Sequence, residues 1–200
     1  MANEIAFYFD FSSPYGYLAS LVIDDLAARH GRDVTWRPIL LGAIFKETGS
    51  APLLTIPLKG DYARRDILRS ARRVNTPFHF PPDFPFSSVP ACRAYYALMG
   101  EDPRAAKRLA AALYEEAFAK GRDTSAGESV LAIAAREGLD AQKLSQSMGS
   151  VEFKARLREE VDTAMAKGVF GSPFFIVEGE PFWGYDRLAD LESWLESGGW

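Results

Sequence analysis

Ile5-Ala6-Phe7-Tyr8-Phe9, running into Asp10-Phe11-Ser12-Ser13-Pro14, is the stretch from which the rest of the chain can be ordered. Five apolar and aromatic residues have the length and chemistry of a buried strand. Proline fits the first helical position, where its missing N–H costs nothing, and serine fits the cap before it, so Ser13-Pro14 opens a helix. Leu18, Leu21, Val22 and Leu26 then recur at helical spacing until Gly31 offers a stop. Val34-Thr35-Trp36-Arg37-Pro38-Ile39-Leu40 reads as a second strand. Strand, helix, strand is a βαβ opening, which pairs its strands in parallel.

Outward from this opening, residues 46–60 carry two prolines with Gly and Ser and read as an irregular connection. Helical signals follow over 62–74, 88–99, 103–120, 127–137, 140–148 and 152–167, with Asp102-Pro103 opening one helix and Gly121, Gly138 and Gly168 closing others. Between the first two, Thr76 to Phe86 is too rich in proline for a helix and too aromatic for a flexible linker, which predicts an ordered, packed loop. Strand chemistry returns at Phe174-Phe175-Ile176-Val177, and Glu178-Gly179-Glu180 turns the chain into Pro181-Phe182-Trp183 as a hairpin. Leu188, Leu191, Trp194 and Leu195 mark a last helix starting near Asp186, a capping residue. The order βαβ, helices, ββα is that of an α/β thioredoxin-like fold with an all-helical insertion. Residues 1–44 plus 169–200 would form the thioredoxin-like domain, and 45–168 the inserted helical one.

Composition narrows the function. The 200 residues are 48% hydrophobic and 25% charged, an ordinary globular balance. With 23 Lys+Arg against 27 Asp+Glu the net charge is −4, which gives no basic field for a nucleic-acid partner. No apolar run is long enough to span a membrane, and Met1-Ala2-Asn3-Glu4 lacks the basic segment of a leader, so a cytoplasmic location is expected. One Cys and two His are too few for a Cys/His metal site, and no metal is expected.

Three places carry candidate chemistry. Ser13 stands where a thioredoxin fold can stabilise an anion at a helix start, and its hydroxyl can donate to a thiolate brought in by a ligand. Capping alone accounts for the same residue. Ser172-Pro173 precedes the third strand, where a cis proline would leave the backbone of Ser172 facing a ligand's peptide groups, and an ordinary strand-edge proline is the alternative. Trp183-Gly184-Tyr185-Asp186-Arg187 enters the last helix, so that backbone N–H groups and Asp186 would suit an amino-acid head group; a cap with a surface ion pair also fits. Lys46 and Lys59 border the expected mouth and would meet a substrate carboxylate, with ordinary surface lysines as the alternative. The stripe Arg64, Arg65, Arg69, Arg72 and Arg73 reads as a solvated face rather than a steering mouth, His79 as a packed loop residue and Cys92 as a small buried hydrophobe. No Cys-x-x-Cys exists for disulfide exchange.

Phe9 to Tyr15, Leu40 to Lys46, Pro57 to Gly60, Phe80 to Pro85, Gly168 to Pro173 and Trp183 to Leu188 together resemble the bacterial 2-hydroxychromene-2-carboxylate isomerases, relatives of kappa-class glutathione transferases. The resemblance implies a glutathione cofactor activated by Ser13. It implies that Ser172 and Pro173 meet the cysteinyl backbone, and that Gly184, Tyr185 and Asp186 hold the γ-glutamyl end. Ser50 stands where the family carries an Asn toward the ligand. Lys46, Lys59 and Phe84 would then border a small aromatic carboxylate substrate, and a homodimer is implied. The activity expected is glutathione-dependent interconversion of 2-hydroxychromene-2-carboxylate and trans-o-hydroxybenzylidenepyruvate. The alternatives are a kappa-like transferase or peroxidase, and a non-catalytic thioredoxin-fold module.

Overall fold

Four strands make one mixed sheet in a computed structural model of the chain, which describes residues 4–200. β1 (Glu4–Phe9) lies between the parallel β2 (Asp33–Pro38) and the antiparallel β3 (Phe174–Val177), and β4 (Glu180–Trp183) pairs with β3 at the edge. Phe7 sits opposite Trp36 on one side and Phe175 on the other. The Trp36 indole meets Phe7 and Phe9 edge-on at 5.3 and 5.4 Å, and Phe7 stacks on Phe175 at 5.3 Å. A strand covered on both faces needs no alternation, which is why β1 reads as a continuous apolar run. Glu178 and Gly179, between β3 and β4, both have positive φ, as a two-residue hairpin turn requires. Met1, Ala2 and Asn3, where the lack of a leader is read, lie outside the described residues.

The helix expected from Pro14 to Gly31 is two helices, α1 (Pro14–Ser20) and α2 (Ile23–Arg29). The break leaves Leu18 and Leu26 in the core and turns Leu21 outward, 43% exposed, so the periodicity alone does not show it. A helix not foreseen, α3 (Leu41–Thr48), begins directly after the expected strand and takes in the start of the expected loop. Its cap residue, Leu40, has no capping side chain, and the Asp10 carboxylate accepts from the Leu41 N–H at 2.7 Å instead. A cap supplied from 31 residues away leaves no local signal. The seam drawn between residues 44 and 45 falls inside this helix.

The remaining helices follow the expected spans closely: α4 (Lys59–Arg73), α5 (Val89–Met99), α6 (Pro103–Tyr114), α7 (Gly127–Arg136), α8 (Ala141–Gly149), α9 (Val151–Ala166) and α10 (Leu188–Ser197). α6 runs on through a π-helical turn, Glu115–Ala119. There Glu116 is buried among Lys120, Arg122 and Arg136, each 2.9 Å away. Burial opposes ionisation of Glu116, but the hydrogen bonds from Lys120 and Arg122 outweigh it and hold the carboxyl below its usual range. The proline-rich loop is packed as expected: Phe78 stacks on Phe118, and Phe80 and Phe84 continue the ring contacts. His79 donates its backbone N–H to the Phe118 carbonyl at 2.7 Å, while its side chain stays at the surface rather than packing inside. Asp186 does not cap the last helix. Tyr185–Arg187 forms a short 3-10 turn, Arg187 takes the cap position, and the Asp186 carboxylate turns to the Arg187 guanidinium at 2.9 Å.

Candidate active site

The start of α1, the loop before β3 and the turn before α10 converge at one end of the sheet. Ser13, 5% exposed, caps α1: its Oγ accepts from the Gly16 N–H at 3.0 Å. The same hydroxyl donates across 159 residues to the Ser172 carbonyl at 3.0 Å. Ser172 in turn accepts, through Oγ, the Asp10 N–H at 3.0 Å, and its peptide bond to Pro173 is cis, as is Phe84-Pro85. The Pro173 carbonyl accepts from the Gly184 N–H at 3.0 Å, which ties the third segment to the second. Gly16 permits this closeness: a Cβ there would lie 2.5 Å from the Tyr114 hydroxyl and 2.9 Å from Ser172 Oγ.

Asp10 organises the whole junction from beneath. It is 2% exposed, and its Oδ1 accepts from the Ser12 N–H at 2.7 Å and the Ser12 hydroxyl at 2.8 Å, while Oδ2 caps α3. Its backbone carbonyl receives the Tyr114 hydroxyl at 2.9 Å. Desolvation by burial raises the carboxyl pKa, against the lowering effect of these donors. Nothing in the local pattern marks Asp10 for this role.

The converging segments form the floor of a cleft of about 1680 Å³. Ser12, Ser13, Ser172, Pro173, Gly184, Tyr185 and Asp186 line it together with Ser50, Lys59 and Phe84. Lys46 does not. Gly42 and Phe45 turn toward the cleft, whereas Lys46, about 100° round the helix from Phe45, lines a separate hollow with Ala43 and Glu47. The arginine stripe divides: Arg69 and Arg73, one turn apart, line the cleft, and Arg64 lies over the Phe80 ring at 5.0 Å. So a face read as solvated supplies two cations to the cleft. Arg69 is held by Asp66, which also accepts the Tyr15 hydroxyl at 2.7 Å. Burial and this bond raise the Tyr15 pKa. Lys59 and Arg73 make no ion pair among the described residues.

One further feature escapes sequence reasoning. Phe170 and Trp183 stand 4.7 Å apart at the cleft wall, 44% and 55% exposed, a pair of aromatic faces open to a ligand. Only a shared place on the two segments flanking β3 and β4 could have linked them. Cys92 is buried as expected, with its thiol pKa pushed well up by desolvation and by the nearby Asp10 charge.

The DSBA-like thioredoxin domain family matches residues 4–196. The chain is 34% identical over 198 residues to a 2-hydroxychromene-2-carboxylate isomerase of Sphingobium xenophagum, covering 98% of this chain and 99% of that one. Glutathione S-transferase kappa 1 of Homo sapiens is 26% identical over 212 residues, covering 98% and 94%. A solved 2-hydroxychromene-2-carboxylate isomerase superposes with a TM-score of 0.86 at 26% identity, over 96% of this chain and 94% of that one. The match spans the sheet, the helical block and every segment that builds the cleft, and with it the chain belongs to the DSBA-like thioredoxin domain family.

Proposed function

We propose that the protein is a glutathione-dependent isomerase acting on 2-hydroxychromene-2-carboxylate. The observation that carries this reading is the Ser13 hydroxyl, held in the cleft with no cysteine beside it. The lining suits the tripeptide: Lys59 and Arg73 make no ion pair among the described residues, Asp186 is an exposed carboxylate that an ammonium group can share with Arg187, and the Ser172 backbone lines the same cleft. Bound glutathione supplies the thiolate whose reversible addition to a conjugated carbon turns a double bond into a single bond that rotates.

The chain's own part is positional. The Gly16 N–H anchors Ser13 Oγ, so redirecting its O–H from the Ser172 carbonyl to a thiolate moves one hydrogen and no heavy atom. A ligand amide N–H would then satisfy the Ser172 carbonyl. Lys59 would meet the substrate carboxylate, and Phe84, Phe170 and Trp183 offer faces to its ring. A homodimer belongs to this reading through the resemblance, and a cytoplasmic location through the expectation drawn from the sequence; no helix among the described residues is long and apolar enough to cross a membrane.

The test is an absorbance assay of chromene isomerisation with and without glutathione. Turnover should require glutathione and leave its total unchanged after many cycles. The 26% identity to a kappa transferase favours a second reading, in which glutathione is consumed mole for mole. Cys92→Ser should keep turnover within about twofold, since a buried thiol with a raised pKa supplies no nucleophile; loss of turnover in a folded variant would restore a protein thiol. Asp186→Asn should weaken glutathione by about tenfold, the scale of one charge-assisted hydrogen bond. Its melting temperature should not move, because Asp186 caps no helix. Unaltered affinity by calorimetry would remove Asp186 from the site.

A further inference from the structure

α3 separates the cleft from a second hollow of about 340 Å³, bounded also by α5 and α9. That volume falls within the range of small-molecule sites, about 300–1,000 Å³. Leu157 and Val161 are buried in its floor, with Met165 half-buried beside them. Lys46, Lys154 and Arg158 stand exposed around the rim. Arg93, half-buried, reaches the hollow from α5, and its Nε is buried with no hydrogen-bond partner. Only two acids, Glu47 and Asp162, share the lining, and Asp162 lies 3.8 Å from Arg158. Lys46, Arg93 and Lys154 have no ion pair among the described residues. Four cations against two anions is a local excess of positive charge on a chain of net charge −4.

A buried N–H without an acceptor is costly, and an apolar floor beside it excludes a purely polar ion as the best occupant. We propose that this hollow binds a small amphipathic carboxylate, its apolar body on Leu157, Val161 and Met165 and its carboxylate on the Arg93 guanidinium. Arginine's planar fork matches a carboxylate through two parallel N–H···O bonds, and the three rim cations add attraction without fixing geometry. The site is distinct from the cleft: Ala43, Lys46 and Glu47 of α3 line it, while Leu41, Gly42 and Phe45 line the cleft.

Calorimetry with decanoate tests this on the full chain. Saturable binding is expected, with decanol at least tenfold weaker. Arg93→Gln should weaken decanoate at least tenfold, and Ala43→Trp, which fills the hollow from an exposed position, should abolish the binding. Ala51→Trp, in the cleft lining, should leave it unchanged. Melting curves establish that each variant is folded, and the Arg93 and Ala43 variants fail independently of each other. No saturable binding, equal affinity in wild type and both hollow variants, or loss in Ala51→Trp instead would overturn the proposal.

Discussion

Ser13→Ala is expected to lower isomerase turnover at pH 7 by about 10- to 30-fold. An unperturbed thiol with a pKa near 8.5 is roughly 3% ionised at pH 7, so a site that ionises it fully gains at most about 30-fold in thiolate. Removing the hydroxyl forfeits that gain, and the variant should recover as the pH is raised, nearing wild type at about pH 9. Glutathione affinity should change much less than turnover, since the other contacts remain. Stability should fall by about 1 kcal/mol, because the α1 cap is lost with the hydroxyl. Ser12→Ala is the control: its hydroxyl donates to the buried Asp10, so it should affect turnover far less. Pre-steady-state thiolate absorbance and a pH–rate profile read both variants. Equal losses in the two, or a loss in Ser13→Ala that persists at high pH, would mean the hydroxyl does not activate the thiol.

The largest loss of stability is expected at Asp10. Asp10→Ala deprives the Ser12 amide, the Ser12 hydroxyl and the Leu41 amide of their acceptor. Buried donors left unpaired cost about 1–3 kcal/mol each, and water from the cleft will satisfy part of this, leaving a deficit of roughly 3 kcal/mol. For a chain of this size that lowers Tm by about 6–12 °C. Asp10→Asn should restore less than half, because its NH₂ must face a donor on one side. The pH dependence has a definite sign. Burial raises the folded pKa of Asp10 above its unfolded value, so the folded state holds the proton more tightly. Its contribution is fully present below the unfolded pKa and diminishes as the pH rises through the folded one. The Tm deficit of Asp10→Ala at pH 8 should therefore be no larger than at pH 5. A variant melting with the wild type would show that the carboxylate does not hold the junction.

Most of the fold was legible because its signals are short-range. Proline after serine at residues 13 and 14, glycine after the last periodic residue, and aromatic runs between turns each act within a few residues, and they place four strands and most helices. The family-like motifs point to Ser13, Ser172 and Asp186 as neighbours, and all three line the same cleft. What the sequence could not reveal depends on partners far along the chain. α3 takes its cap from Asp10, so its own residues carry no start signal, and Lys46 consequently looked like a cleft residue. Arg69 and Arg73 resemble any solvated stripe until α4 is packed beside the α1 entrance. The Ser13 hydroxyl reaches the Ser172 carbonyl only because β1 and β3 are neighbours in the sheet, although 159 residues separate the two serines. Local propensity decides where an element begins and ends; which side chains share a site is decided by tertiary packing, since hydrogen bonds are directional and only a few ångströms long.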